Sequence, residues 1–448
     1  MKRWTGNLIA LLIASTLTLA IFEGFLRVFY NPTLVHRQMA EFDPVLGWRL
    51  KPGHYRVRRS ETLVSHTIDV NRLGMRGPEI ALVPSADSTR VVLLGDSFTL
   101  GMLTPSQALF SAVAERSLNR GAARGVQMVN VSAQGYGTAQ QLLFVQRLER
   151  EGSRADLYLV MFYLNDLLDN LRLSYDTLEP QPAVPGFALD ARGRLYLEHA
   201  PEKRLVQGGS QVERGRGGFR LLLWGFLRNQ AADVVGTHPD LLRLAQRLGV
   251  RVPVPHLPTT VTGWYDESIR QRGWPLTCAL LRELRREVES HGARLGIVVI
   301  PSPFQVYPSY QLLVRRTFPD DPQAKAFLAD PWQPQRMVEE FCREEGLPCL
   351  DLAESFRHAL RGPGLYSTKD FHFTRHGHRV VGEAVAGFVR QIEGMLSIPM
   401  SAPRRRWKEV GLTDGRTVVQ ATAPVLDPTT PCRGLFSQAR VAQRRWIP

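Results

Sequence analysis

Cysteine is scarce in this chain: four residues in 448, at Cys278, Cys342, Cys349 and Cys432. No C-x-x-C pair occurs and the neighbouring histidines lack zinc-ligand spacing, which excludes a disulfide-built miniprotein and a zinc ribbon. Cys342 and Cys349 are near enough in sequence to bridge where a helix end turns back onto a strand; buried thiols are the competing reading. No glycine-rich phosphate loop of the usual spacing follows the first apolar run of the main domain, which speaks against a nucleotide- or flavin-binding protein. Internal repeats are missing. Lysine is nearly so, with six among 56 basic residues, a bias that fits genome composition better than a ligand.

The remaining composition, 44% hydrophobic and 22% charged, is ordinary for a globular chain and excludes collagen or disorder throughout. The formal charge of +14 suggests an acidic partner until it is located. Residues 1–90 carry 12 Lys and Arg against 7 Asp and Glu, and residues 401–448 carry 9 against 3, so the stretch between them is close to neutral. A broad phosphate-binding face is therefore missing, and nucleic acid is not an expected partner.

One long apolar run is present. Trp4 to Phe22 holds no charge over nineteen residues, preceded by Lys2 and Arg3 and followed by Glu23 and Arg27. At ~1.5 Å per residue it nearly matches a hydrocarbon core of ~30 Å, and the leading positive charges keep the start of the chain in the cytoplasm. The expectation is a single-pass anchor through residues 7–27 in the inner membrane, with the rest exported to the periplasmic or extracellular side. A cleaved signal peptide is the rival, but no clean A-x-A site follows the run.

Beyond it, residues 31–89 read as a turn-rich preface marked by Pro32, Pro44, Pro52, Gly53, Gly74, Gly77, Pro78 and Pro84. Short continuous apolar runs then recur at Val91–Leu94, Met128–Val131, Leu157–Phe162, Leu295–Ile300 and Cys349–Leu352. Helical patterns cover Ser106–Leu118, Ala139–Arg150, Leu276–Ser290 and Gln335–Glu344. Continuous rather than alternating runs are how strands buried on both faces look. Five of them with intervening helices predict an α/β, flavodoxin-like, doubly wound five-stranded parallel sheet. The third and fourth strands are separated by an insertion over residues 176–275, too long for a loop. Within it FRLLLWGFLRN, Phe219 to Asn229, apolar with Arg at both ends, reads as a helix packed on the main domain, with one lying on a membrane or covering a substrate cleft as the alternative. The domains expected are an anchor over 1–30, the preface over 31–89, the α/β domain over 90–395 and a basic, poorly ordered tail over 396–448.

Ligand sites in such sheets lie beyond the carboxyl ends of the strands. There the chain places Gly95-Asp96-Ser97, then Gly135-Tyr136-Gly137, then Asn165-Asp166, and after the fifth strand Asp370-Phe371-His372. Each alone is an ordinary turn or cap; in order, at successive strand ends, they form a chemical set. A serine hydroxyl needs a base in hydrogen-bond reach, an imidazole supplies it, and a carboxylate on the other ring nitrogen holds the tautomer. Ser97, His372 and Asp370 fill those roles, with Ser97 N–H, Gly135 N–H and the Asn165 amide as oxyanion donors.

These residues resemble the SGNH, or GDSL-type, hydrolase superfamily. VVLLGDSFTLG, NVSAQGYGT, FYLND and KDFHFTRHGH are similar to its four blocks, over about residues 90–395. The resemblance implies ester or acyl-transfer chemistry without metal or organic cofactor, with Ser97 as nucleophile, Gly135 and Asn165 in the oxyanion hole and His372 as base. Tyr163 stands where the third block usually has glycine. Asp370 precedes His372 by two positions rather than three, similar to membrane-anchored SGNH proteins of the alginate O-acetylation type. The segment NRLGMRG, Asn71 to Gly77, also resembles their preface. His376 and His378 are read as structural, carried away by a helix that Thr374 caps, and Asp96 and Asp166 as loop-holding carboxylates. Gln305 and Tyr307 are expected to line the substrate pocket. The function implied is an anchored, exported serine esterase acting on O-acyl esters of envelope glycans or lipids. A polysaccharide O-acetyltransferase with the same triad and a catalytically idle glycan-binding subunit remain alternatives.

Overall fold

From its second residue the chain winds into helix α1 (Lys2–Phe29), a single segment of 28 residues. The structure, a computed structural model, describes residues 2–29, 39–58, 65–122, 124–174, 178–202, 223, 257–368 and 371–396. Of the α1 side chains, those of Asn7 and of residues 13–25 are described. Among the described residues no helix is long and apolar enough to cross a membrane. The stretch of α1 whose side chains are described without a break, residues 13–25, rises about 20 Å of the helix's length. Ile13, Leu17, Leu19 and Ile21 on it are exposed, whereas Glu23 is buried and accepts the Leu223 N–H at 2.8 Å.

The preface folds into two antiparallel hairpins: β1 (Ala40–Asp43) with β2 (Gly47–Leu50), and β3 (Gly53–Arg58) with β4 (Ser65–Val70). Isolated bridges from Arg76 to Val70 and to Asn130 join the second hairpin to the main sheet. Then follow β5 (Ser88–Gly95), α2 (Ser97–Leu100), α3 (Phe110–Leu118), β6 (Gly125–Ser132), α4 (Thr138–Arg150), β7 (Leu157–Tyr163) and α5 (Asp166–Asn170). A short hairpin, β8 (Gly186–Leu189) and β9 (Leu195–His199), opens the insertion. After it come α6 (Thr259–Tyr265), α7 (Glu267–Ser290), β10 (Arg294–Ile300), α8 (Pro303–Val306), α9 (Pro308–Thr317), α10 (Pro322–Ala329), α11 (Gln333–Glu345), β11 (Cys349–Asp351), α12 (Ala353–Ala359) and α13 (Arg375–Leu396).

The main sheet has the order β11-β10-β7-β5-β6, parallel at every pairing. This is the flavodoxin-like winding, with strand order reversing beside β5, the first main strand. Alternate residues feed two cores. Val92, Leu94, Val160 and Phe162 join the layer containing Leu142, Leu280 and Leu284 of α4 and α7. Val91, Leu93, Leu159 and Met161 join the layer containing Phe110, Val381 and Val389 of α3 and α13.

Two boundaries differ from the sequence expectation. Pro275, taken as the end of the insertion, lies inside the continuous 24-residue α7. An internal proline removes one i→i−4 bond, yet the helix survives because Ile269, Gly273, Leu276 and Leu280 bury one face. A Cβ at Gly273 would lie 2.9 Å from Leu167 Cγ, so the glycine permits close packing of α7 on α5. The helix expected from Ser106 begins as a 3₁₀ turn and restarts at Phe110, because Leu109 is extended. Cys278, Cys342 and Cys349 are thiols, with Cys349 hydrogen-bonded to Cys342; that contact and burial push the Cys342 thiol up. The expected helix over 219–229, apart from Leu223, and the tail after 396 lie outside the described residues.

Candidate active site

The first strand end is a tight corner. Asp96 caps α2 by accepting the Phe98 N–H at 2.9 Å, so Ser97 becomes the first helical residue. A Cβ at Gly95 would fall 2.1 Å from Thr99 Oγ1, so glycine alone permits this approach. Gly101, with φ +57°, closes the helix after one turn. At the far end of the domain, Phe371 N–H donates to Ser367 O at 3.1 Å and Ser367 N–H to His372 O at 2.8 Å. That turn forces Phe371 to φ +58°, a left-handed conformation costly for a bulky residue, of order 1–3 kcal/mol.

The turn delivers the imidazole. His372 Nε2 lies 2.8 Å from Ser97 Oγ, although 275 positions separate the two residues. The distance is within general-base reach: a neutral imidazole accepts the hydroxyl and can take its proton. Phe98 packs against the His372 ring with centroids 4.7 Å apart and the planes tilted by 35°, and Tyr163 packs on Phe98 at 4.1 Å. Tyr163, in place of glycine, thus builds the aromatic floor beneath the base. Asp370, the expected third member, lies outside the described residues.

Gly135 sits in the turn after β6 with φ +69°, which glycine adopts without penalty. It lines the same cavity as Ser97, His372 and Asn165. Trp48 from the preface supports this turn: its indole N–H donates to Gln134 O at 3.0 Å, and the Tyr136 hydroxyl donates to Trp48 O at 2.6 Å. Asn165 also reaches the cavity. Its amide nitrogen donates to Asp96 Oδ2 at 3.2 Å and to Asp169 Oδ2 at 2.9 Å. In the ligand-free chain the Asn165 amide thus braces the loop after β5 against α5. The backbone N–H groups of Ser97 and Gly135 remain as the expected donors for an oxyanion.

Asp96, Asp166 and Asp169 are all buried around that brace. Burial raises the Asp96 carboxyl despite the hydrogen bonds it accepts and the proximity of His372. Burial, with Asp96 and Asp169 as like-charged neighbours, pushes Asp166 well above the ordinary carboxylate range. Among the described residues no group of three or more His, Cys, Asp or Glu is placed to hold a metal ion.

Gln305 and Tyr307 do not line the pocket. Gln305 caps α8 by accepting the Ser302 N–H at 2.7 Å and pairs with the buried Gln335 amide. The Tyr307 hydroxyl accepts the Leu365 N–H at 2.8 Å and holds the loop leading to His372. A one-turn helix begins at Pro303 here, and its first two residues, Pro303 and Phe304, line the cavity instead. His378 is buried in α13, where Nδ1 accepts the Phe110 N–H at 3.3 Å. Burial and then the Arg76 charge lower it to about 3. Thr374 accepts the Gly377 N–H at 3.1 Å as the cap that turns His376 and His378 away from Ser97.

The cavity encloses about 560 Å³ and is walled by Phe304, Leu313, Val314, Phe318 and Phe371 besides the residues above. Composition and spacing carried no signal for these walls or for Trp48; they come from segments that meet only in the fold.

No protein-family model matches the sequence, and no curated protein matches it. Among solved structures, the chain is similar to a member of the lipolytic protein G-D-S-L family from Veillonella parvula DSM 2008. The identity is 10%, over 67% of this chain and 97% of that one, with a TM-score of 0.32. It is also similar to a variant of Axe2, an acetyl xylan esterase from Geobacillus stearothermophilus, at 15% identity over 69% and 97% of the two chains, with a TM-score of 0.31.

Proposed function

We propose that this chain is a serine-dependent ester hydrolase of the SGNH type, held on the outer side of the cytoplasmic membrane by α1. Its substrates are O-acyl esters of envelope glycans or lipids. The observation that carries the reading is the 2.8 Å contact between Ser97 Oγ and His372 Nε2 in the wall of the cavity.

The reaction follows from that contact. Ser97 Oγ attacks the ester carbonyl carbon while His372 Nε2 takes the hydroxyl proton, and the carbonyl oxygen becomes an oxyanion facing the Ser97 and Gly135 N–H groups. Collapse breaks the bond to the alcohol, which leaves with the proton from His372. Water then repeats the sequence on acyl-Ser97: His372 takes its proton, the acid departs, and the proton returns to Ser97 Oγ. Asp370 is assigned to the other ring nitrogen of His372 by its place in the sequence. The anchor is supported by the 28-residue α1, about 42 Å long, and by the exposed Ile13, Leu17, Leu19 and Ile21, apolar side chains that lipid covers at no cost.

The test is hydrolysis of an aryl ester by the full chain in detergent, beside Ser97→Ala and His372→Ala. Both variants are expected to lose about 10³-fold or more in kcat with unchanged circular dichroism. Full activity in Ser97→Ala would overturn the assignment.

A further inference from the structure

The cavity beside Ser97 is more hydrocarbon than hydroxyl-seeking. Phe304, Leu313, Val314, Phe318 and Phe371 line it with carbon. The aromatic part of the wall is braced, with Phe304 5.1 Å from Tyr310 and 5.5 Å from Phe371 between ring centroids. Phe371 holds its place there in the left-handed backbone conformation that also sets His372. A sugar hydroxyl laid on such a wall gives up water without a replacement partner, whereas a methylene only gains.

Volume argues the same way. A methylene occupies about as much space as a water molecule, ~30 Å³. A cavity of about 560 Å³ has room for an alkyl chain beside the carbonyl, the alcohol and the attacking water. An acetyl group would leave the Phe304 and Phe318 side wet and unfilled.

We propose that this cavity is an acyl-chain site. The substrate is an ester of a medium-length fatty acid, its carbonyl carbon at Ser97 and its alkyl chain along Phe304, Val314, Phe318 and Phe371. The inference rests on the hydrolase reading of Ser97 and names the acyl group that reading left open.

The experiment compares kcat/KM of the full chain in detergent for p-nitrophenyl acetate, butyrate, hexanoate, octanoate and decanoate. Each fully buried methylene contributes up to about fourfold, and octanoate is expected to exceed acetate by at least tenfold. Leu313→Trp fills the cavity from α9 and should reduce the octanoate-to-acetate ratio at least tenfold; Thr317→Phe, on the same helix, reads the same ratio if the first variant fails to fold. A flat profile, or one falling from acetate, overturns the acyl-chain site and leaves the hydrolase standing. Labelling rates of Ser97 with p-nitrophenyl methylphosphonate and octylphosphonate esters read the cavity without turnover. Faster octyl labelling supports the site even where no ester is hydrolysed, and no labelling by either removes the hydrolase reading and the site together.

Discussion

Two histidines six positions apart meet opposite fates. His372 lies in a loop at the cavity wall and touches Ser97, while His378 is buried in α13 with its Nδ1 accepting a backbone N–H. That acceptor role and the lowering to about 3 keep His378 neutral in the folded chain. Above pH 6.5 it is neutral in both states and contributes nothing to pH dependence. Below that value the unfolded chain takes up the proton and the folded chain does not, so stability falls from about 6.5 down to about 3. By pH 4 the loss is roughly 3 kcal/mol. Denaturant titrations of wild type and His378→Gln are expected to converge by about that amount between pH 7 and pH 4; a constant difference would show that His378 titrates normally in the fold. Sequence distinguished the two histidines correctly through Thr374 as a helix cap. It did not show the contacts of Asn165, whose amide donates to Asp96 and to Asp169 in the fold.

At the level of elements, the single turn α2 is too short to hold Ser97 by its own hydrogen bonds. Its last carbonyls are taken by other parts of the chain. The Asn130 amide donates to Thr99 O at 2.7 Å, and the buried Arg76 guanidinium donates to Leu100 O, to Gly101 O at 2.7 Å and to Thr104 O at 2.6 Å. Among the described residues the Arg76 cation has no salt-bridge partner; carbonyl dipoles at a helix C-terminus meet its charge, and burial lowers it to about 9. Arg76→Met leaves those carbonyls without donors and is expected to cost about 3 kcal/mol or more in a denaturant melt. It should also lower kcat more than it raises KM, with partial recovery in Arg76→Lys. Equal stability and activity in Arg76→Met would show that α2 positions Ser97 unaided. The segment NRLGMRG is recognisable in the sequence, but not the carbonyls its arginine meets. Likewise Pro275 marks a boundary in sequence and an interior position in α7, because tertiary burial outweighs one lost backbone bond.

For the whole molecule, five runs buried on both faces dictate a parallel sheet, and the strand order puts Ser97, Gly135, Asn165 and His372 on one rim. The membrane reading is tested at this scale as well. The full chain is expected in the membrane fraction after a carbonate wash, and a chain lacking residues 2–29 in the supernatant. Release of the full chain by carbonate would overturn the anchor.

What the sequence by itself determined was whatever depends on order along the chain. Continuous apolar runs specify buried parallel strands. Gly-Asp-Ser, Gly-Tyr-Gly, Asn-Asp and the loop histidine mark the strand ends where chemistry belongs. Tertiary structure alone decided what depends on side chains from distant segments meeting. The braced Asn165, the Arg76 clamp, Trp48 under the Gly135 turn and the Phe304–Phe371 wall each join residues that no local period links. Gln305 and Tyr307 show the reason: they follow β10 as a pocket residue should, but a one-turn helix from Pro303 to Val306 commits the Gln305 side chain to its cap, and the Tyr307 hydroxyl takes the Leu365 N–H. Direction is set by packing, and packing is a property of the folded whole.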